Sequence, residues 1–497
     1  MTARALIAPV ACAAALAGIG VGAAMVQPEA GHAVAPQASS APVDNVTLVC
    51  PSVTGTAAGL VTTMSVADLG AALPGGRSQV SVLAVPMPSI VQRSAKSKPP
   101  PSSLLKSFLL SPRPVATVQK STPYGAVAIV ARGPGAAHIA ADQVGLQSQG
   151  LGRAATDSAC LPPATDWWFA GTDGEVGFDA AVLLANPTDT LANVAVTAWS
   201  ATGAVRLAGL DTLTLPPHVV MGLKVANFAP NARDVAIHVH ALSGSLVAAL
   251  TQRRIHGILP GGADWLPPTA PPASDFVVAG LPAGDGFRHL QLVNPGNRDA
   301  TVSLRLLTRT GNFAPAGHQS VVVPAGHSAD VDLSAALGTE PAAVVGTSDL
   351  PVIAEARLTA HVRAQYDDSA WLPASAPMTG PAGLAANTPP FDEDAYLLLA
   401  APRSSVRVRI AAAAGGSAVV TVPAGRVLQV DPRTLLHVHS LGALALVPLG
   451  KEPVYAARVL HAKGLHGPLL TSEVPLVLPE PIPLPAVVED PRAATRA

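Results

Sequence analysis

The chain repeats itself. Leu-Pro steps begin at Leu161, Leu266, Leu372 and Leu478, which lie 105, 106 and 106 residues apart. The first three read Cys160-Leu161-Pro162-Pro163, Trp265-Leu266-Pro267-Pro268 and Trp371-Leu372-Pro373-Ala374. The register also holds inside the units: Asn186-Pro187 returns as Asn294-Pro295, Pro216 as Pro324, and the Val-Pro-Ala-Gly turn at Val323 returns at Val422. A fixed period of this length means that one folding unit is used several times. A chain of 497 residues is in any case too long for one ordinary core.

Each unit reads as short strands between turns. In the second these are Ala181 to Ala185, Val194 to Trp199, Leu213 to Leu215, Val219 to Leu223, Val235 to Ala241 and Leu246 to Leu250. Val406-Arg407-Val408-Arg409-Ile410 and Thr301 to Leu306 alternate apolar and polar residues with period two, the pattern of a strand buried on one face. With 49 prolines, 43 glycines and 3% aromatics, short Val-rich strands suit the composition better than long helices. Asn-Pro after a strand ends it, because Pro lacks an N–H and the Asn side chain caps the turn. The expected fold is all-β: tandem immunoglobulin-like β-sandwich modules of six or seven strands, preceded by one N-terminal transmembrane helix. Module bounds fall at 44–163, 164–270, 271–378 and 388–480, followed by an extended Pro-rich tail at 481–497. Trp-Leu-Pro junctions are expected to plug the seams of a semi-rigid rod, and Lys96 to Ser102 to form an exposed loop.

Residues 5–26, Ala5 to Val26, carry no charge and are long enough to cross a bilayer. Arg4 precedes them and no Lys or Arg follows until Arg77, so the N-terminus is expected inside and the body outside. A cleaved signal, with sites near Val21-Gly22-Ala23 or Gly31-His32-Ala33, is the alternative, and it would leave the body secreted. Residues 27–43 read as a spacer. Cys12 lies within the apolar run, which leaves Cys50 and Cys160 to form a disulfide in an oxidising compartment.

The N-terminal span, the Cys pair and the strand-Asn-Pro and Val-Pro-Ala motifs at Asn186-Pro187, Asn294-Pro295 and Val323-Pro324-Ala325 resemble an actinobacterial family of exported proteins known only as a domain of unknown function. The resemblance implies an envelope location and supplies no catalytic residues.

A formal net charge of −1 with 13% charged residues gives no field to hold nucleic acid. The sequence holds no phosphate-cradling loop, no Gly-x-Ser-x-Gly elbow and no His-Glu-x-x-His motif. His238-Val239-His240 and His437-Val438-His439 place two imidazoles on one strand face, but two histidines close no metal site, and His461 and His466 are weak partners for the second pair. Asp367-Asp368 and Asp392-Glu393-Asp394 read as linker carboxylates open to calcium or, more simply, solvated. Trp167-Trp168 is the one aromatic pair suited to sugar stacking, against a role in the core or a seam.

The sequence therefore names no catalytic, cofactor or metal residues, only the Cys50 and Cys160 disulfide. The expected function is a noncatalytic, membrane-anchored extracytoplasmic scaffold or interaction protein without cofactors. Its expected partner is an envelope protein or a cell-wall polymer. A carbohydrate-binding module and an exported enzyme of unrecognised type are the alternatives.

Overall fold

The computed structural model describes residues 39–51, 61–69, 78–87, 103–110, 115–118, 125–207, 209–284, 286–360, 367–387, 394–464 and 467–484. Four successive stretches adopt one topology. In the second the strands are Asp166–Thr172, Phe178–Asn186, Ala192–Ser200, Gly203–Val205 with Leu213–Leu215 as a split fourth, Val219–Lys224, Val235–Ser243, Val247–His256 and Leu259–Leu266. Numbered within a module, strands one, six, three and four pair side by side in one sheet, and five, two, seven and eight in the other, all antiparallel. The same order recurs in the other three. In the third, strands six and seven are one continuous strand, Ala342–Ala360, whose halves pair in both sheets.

This order differs from the immunoglobulin one. There strand one lies beside two and strand seven beside six; here one lies beside six and seven beside two, and an eighth strand is added. The strands read from the sequence are present: Leu213–Leu215 is unchanged, the last begins at Val247 rather than Leu246, and the others are longer. Strand one and the closing eighth strand were not legible, because Asp166–Thr172 and Leu259–Leu266 have no clean alternation.

Period two does its expected work within each module. Val406–Ala412 buries Val406, Val408 and Ile410 and exposes Arg407. The apolar faces of both sheets meet in one core, as in the first module, where Leu48, Cys50, Val80, Val82, Ile129, Met64, Val66 and Ile139 pack together. Cys50 is disulfide-bonded to Cys160 within that core. The Asn-Pro turns are built as the sequence implies. Asn294 is fully buried, donates from Nδ2 to the carbonyls of Arg298 (2.7 Å) and Val323 (3.0 Å), and accepts from the Gly296 N–H at 3.0 Å. Asn186 repeats this with Thr190, Leu215 and Thr188.

The modules do not form a rod. Their closing strands, Ala154–Ala159, Leu259–Leu266, Asp368–Pro373 and Gly467–Glu473, meet in a ring, each against the next and the last against the first. The first and fourth modules share apolar seams of small residues: Ala67, Leu69 and Ala140 meet Ala385, Ala443 and Ala445, while Val144 and Ala155 meet Ala386, Leu460 and Ala462. Alanine lets sheets approach closely, and two glycines do the rest. Gly171 and Gly280 both have positive φ, and a Cβ on Gly171 would lie 3.0 Å from the Trp371 indole, one on Gly280 2.5 Å from Ala457 Cβ. Trp371 does plug a seam, its Nε1 donating to Gly171 O across modules at 3.2 Å. The fourth module leaves its closing strand at Val474-Pro475; Leu478 follows a short strand, Leu476–Val477, that pairs back onto Ala382–Asn387.

Among the described residues no helix is long and apolar enough to cross a membrane. Ala5 to Val26, the spacer up to residue 38 and the Lys96 to Ser102 loop lie outside them. Residues 42–480 form one compact unit. In the other, Ser39–Ala41 pairs antiparallel with Ile482–Leu484, so the Pro-rich tail is a strand at its start.

Replacing Asn294 by Ala leaves the buried Val323 carbonyl without that donor. Chemical unfolding is expected to show a loss of about 2–3 kcal/mol, and an unchanged midpoint would mean that the turn holds without its cap.

Candidate functional site

A closing strand is the edge of its sheet, so one row of its backbone groups has no strand to pair with. Where four such edges converge, water is excluded and the groups need partners. Carboxyl groups supply them. Asp264 Oδ1 accepts the Asp157 N–H at 3.1 Å and its Oδ2 accepts the Thr471 hydroxyl at 2.8 Å, linking the second module to the first and fourth. Asp368 Oδ2 accepts from Leu470 N at 2.9 Å and Ala155 N at 3.3 Å, linking the third to the fourth and first. On the seventh strands, Asp142 Oδ2 accepts from Ala385 N (2.6 Å) and Ala386 N (2.8 Å), and Glu355 Oε2 from Ala170 N (2.9 Å).

Cations are scarce on this axis. Arg458, fully buried, meets Asp157 Oδ2 at 2.6 Å, Asp142 Oδ2 at 3.4 Å and Glu473, and donates to Ala386 O. Arg153 donates from the first module to Gly467 O and Pro468 O of the fourth at 2.7 and 2.9 Å. Three carboxyls on one guanidinium cannot all ionise cheaply in a dry site. Burial, with Asp142 adding to it, pushes Asp157 up to about 6 against the pull of Arg458. Burial pushes Asp368 up to about 7, opposed by the N–H groups of Leu470 and Ala155 and by Arg153. Burial likewise holds Asp264, Glu355 and Glu473 well above the ordinary carboxylate range.

At one end of the axis the four junctions enclose a cavity of about 350 Å³. Leu161, Pro267, Pro268, Pro373, Met378 and Leu476 give it apolar walls, Asp157 and Glu473 also line it, and Asp166 and Trp168 belong to its lining too.

Asp166 connects the cavity to a second constellation. Strands one and six of the second module are neighbours with Asp166 opposite His240 and Trp168 opposite His238. Asp166 Oδ1 is 2.9 Å from both His238 Nε2 and His240 Nδ1. The His238 ring lies flat on Trp168, centroids 3.8 Å apart, and Trp168 stacks on Trp199 at 5.6 Å. Partial burial raises Asp166, but the bonds from His238 and His240 outweigh it and hold the carboxyl below its usual range; burial lowers the His238 imidazole despite Asp166. Among the described residues these three bring one ligand atom each within 4.8 Å of the others, near enough to share a metal ion. Sequence reasoning paired the histidines but missed Asp166, 72 residues away from His238, because only the strand order makes it their neighbour.

The other expectations divide. Trp167 is a core residue, its Nε1 donating to Leu246 O at 3.1 Å, and offers no sugar platform. His437 is not on a strand: Asp431 caps a short helix, Pro432–Leu436, by accepting from Arg433 N, and His437 ends it with φ 55°. Asp-Pro is a helix start, and that signal outweighs the short alternation. Asp368 is buried in a closing strand rather than solvated in a linker. His466, Asp392 and Glu393 lie outside the described residues.

Residues 115–433 match the Family of unknown function (DUF5719). The chain belongs to that family. The DUF5719 match spans the last strands of the first module, the second and third modules and much of the fourth. No curated protein matches. Among solved structures, the crystal structure of Thermotoga maritima 1070 is similar at 16% identity over 20% of this chain and 93% of that one, with a TM-score of 0.18. The BSP domain of a biofilm associated protein is similar at 8% identity over 90% and 99%, with a TM-score of 0.12. Neither score is high enough to inform the reading of this fold.

Two outcomes follow from the buried carboxyls. A folded-state pKa raised above the unfolded value gives stability that is full below the unfolded pKa, near 4, and is lost as pH rises through the folded one. For Asp157 and Asp368 that window runs up to about 6 and about 7. The melting temperature is therefore expected to fall between pH 5 and pH 8, with a shallower slope in the Asp157→Asn, Asp368→Asn double variant; parallel slopes would contradict the assignment. Arg458→Met strands three buried carboxyls, and unfolding titrations at pH 7 are expected to lose about 3–5 kcal/mol, less at pH 5; equal losses at both would contradict the charge argument.

Proposed function

We propose that this DUF5719 protein is a noncatalytic, extracytoplasmic interaction protein, anchored by Ala5 to Val26, whose closed four-module body binds an envelope protein at the axial cavity. The cavity carries the reading. Junction residues of all four modules line it, so it exists as a site only when the ring is closed. Its volume of about 350 Å³ lies at the lower end of ligand pockets and suits one or two large apolar side chains. Asp166, side chain 43% exposed, gives its lining an acidic group for a basic residue beside them.

The perturbed carboxyls that line the cavity invite a catalytic reading, since such groups gather at active sites. Their bonds argue for structure instead. Asp157 and Glu473 are committed to Arg458 on another strand, and the other axial carboxyls to backbone N–H groups of neighbouring modules. The Cys50–Cys160 disulfide supports an oxidising compartment.

The test is photocrosslinking in intact cells. A photoreactive residue replacing Ala376, exposed and part of the cavity lining, is expected to capture a defined envelope protein. The same residue replacing Leu449, exposed elsewhere on the fourth module, is expected not to, and Ala376→Trp is expected to reduce capture from a photoreactive residue at Ser375. Identical adducts from Ala376 and Leu449, or none from Ala376, would remove the cavity as the binding site.

A further inference from the structure

The constellation beside the cavity has the makings of a site with a chemistry of its own. Three ligand atoms, Asp166 Oδ1, His238 Nε2 and His240 Nδ1, come from two neighbouring strands, and all lie within 4.8 Å of one another. Metal bonds of about 2.0–2.1 Å turn the 2.9 Å separation between Asp166 Oδ1 and each imidazole nitrogen into an angle of about 90° at an ion. That is an angle adjacent ligands make in an octahedron, the two imidazole nitrogens lie within 4.8 Å of one another, and two imidazoles with one carboxylate are a donor set that divalent transition metals take. Small opening motions reach the wider angle of a tetrahedral ion.

The site is also prepared. Register fixes both histidines on the same face of one strand, because residues two apart point the same way. Trp168, stacked on the His238 ring, holds that imidazole in place, and Trp168 and Trp199 are themselves packed on Val293 and Ile353 of the third module. The Asp166 and His240 side chains are each 43% exposed, so an ion reaches the site without unfolding.

We propose that Asp166, His238 and His240 bind one divalent transition-metal ion of the zinc class at the edge of the axial cavity. The remaining positions on the ion are then open to water or to a donor atom of whatever enters the cavity. The proposal does not depend on the identity of the partner, and metal binding is read without one.

The test is a calorimetric zinc titration of the untagged full chain after chelator treatment. The chain has 14 histidines, so the comparison with variants decides. Wild type is expected to show one site per chain that is at least about tenfold weaker in Asp166→Asn and in His240→Ala, with circular dichroism unchanged. His238→Ala is expected to behave alike, but it also removes the stack on Trp168. If that variant is unstable, the substitutions at the two exposed positions, Asp166 and His240, suffice. Equal zinc binding by wild type and the Asp166→Asn, His240→Ala double variant, or no uptake by wild type at millimolar zinc, would overturn the proposal and leave the three residues as a hydrogen-bonded surface group.

Discussion

Carboxyl groups standing in for a missing strand hold this body together. Each module ends on an edge strand, and four edges brought to one axis would bury unpaired N–H groups. Asp264 and Asp368 reach into neighbouring modules and accept N–H groups of those edges, while Asp142 and Glu355 do the same for the first strands of the fourth and second modules. A backbone-to-carboxyl bond is directional, so it sets register between modules in a way that apolar contact alone does not. Burial, with only Arg458 and Arg153 to oppose it nearby, holds Asp157, Asp264, Glu355, Asp368 and Glu473 above the ordinary carboxylate range. The ring is thus an assembly of sandwiches joined through buried carboxyls.

Packing around the axis follows from the same requirement. Strands close enough for 2.6 to 3.3 Å bonds between modules favour small side chains beside them, and alanines such as Ala67, Ala140, Ala155, Ala385 and Ala386 make up much of the seams. Gly171 and Gly280 mark the closest approaches. The low aromatic content of the chain therefore has a structural use. Tryptophan fills a seam at Trp371, a core at Trp167 and Trp265, and at Trp168 and Trp199 packs against the apolar cluster that joins the second and third modules.

Much of the module was legible in the sequence and little of the assembly. Val406–Ala412 and Val235–Ser243 declare themselves because one face is apolar and the other is not. Asn186 and Asn294 declare their turns because Asn before Pro can do little else. The closing strands escape this logic: Asp368–Pro373 is buried throughout, so it shows no alternation. The axial acids did leave a trace, since Asp157, Asp264, Asp368 and Glu473 each stand two to five residues before a Leu-Pro step. Their offsets from that step differ, so aligning the four copies on it does not stack them in one column, and only the closing strands bring them together. Reading each stretch locally made Asp367-Asp368 a linker. Asp166 left no such trace, because its place beside His238 and His240 comes from strand one lying next to strand six.

Closure between the first and fourth modules is the claim on which the cavity, the shared carboxyls and the pH response all depend. Leu151 and Lys463 are exposed near that seam, where Arg153 meets Gly467 and Pro468. Spin labels at these two positions, in a Cys12→Ser chain with the disulfide intact, report the separation by pulsed dipolar spectroscopy. A closed ring predicts a single distance below about 30 Å. Modules of this size are about 35 Å across, so an open rod would place the labels on the order of 100 Å apart, and such a distance would contradict the account.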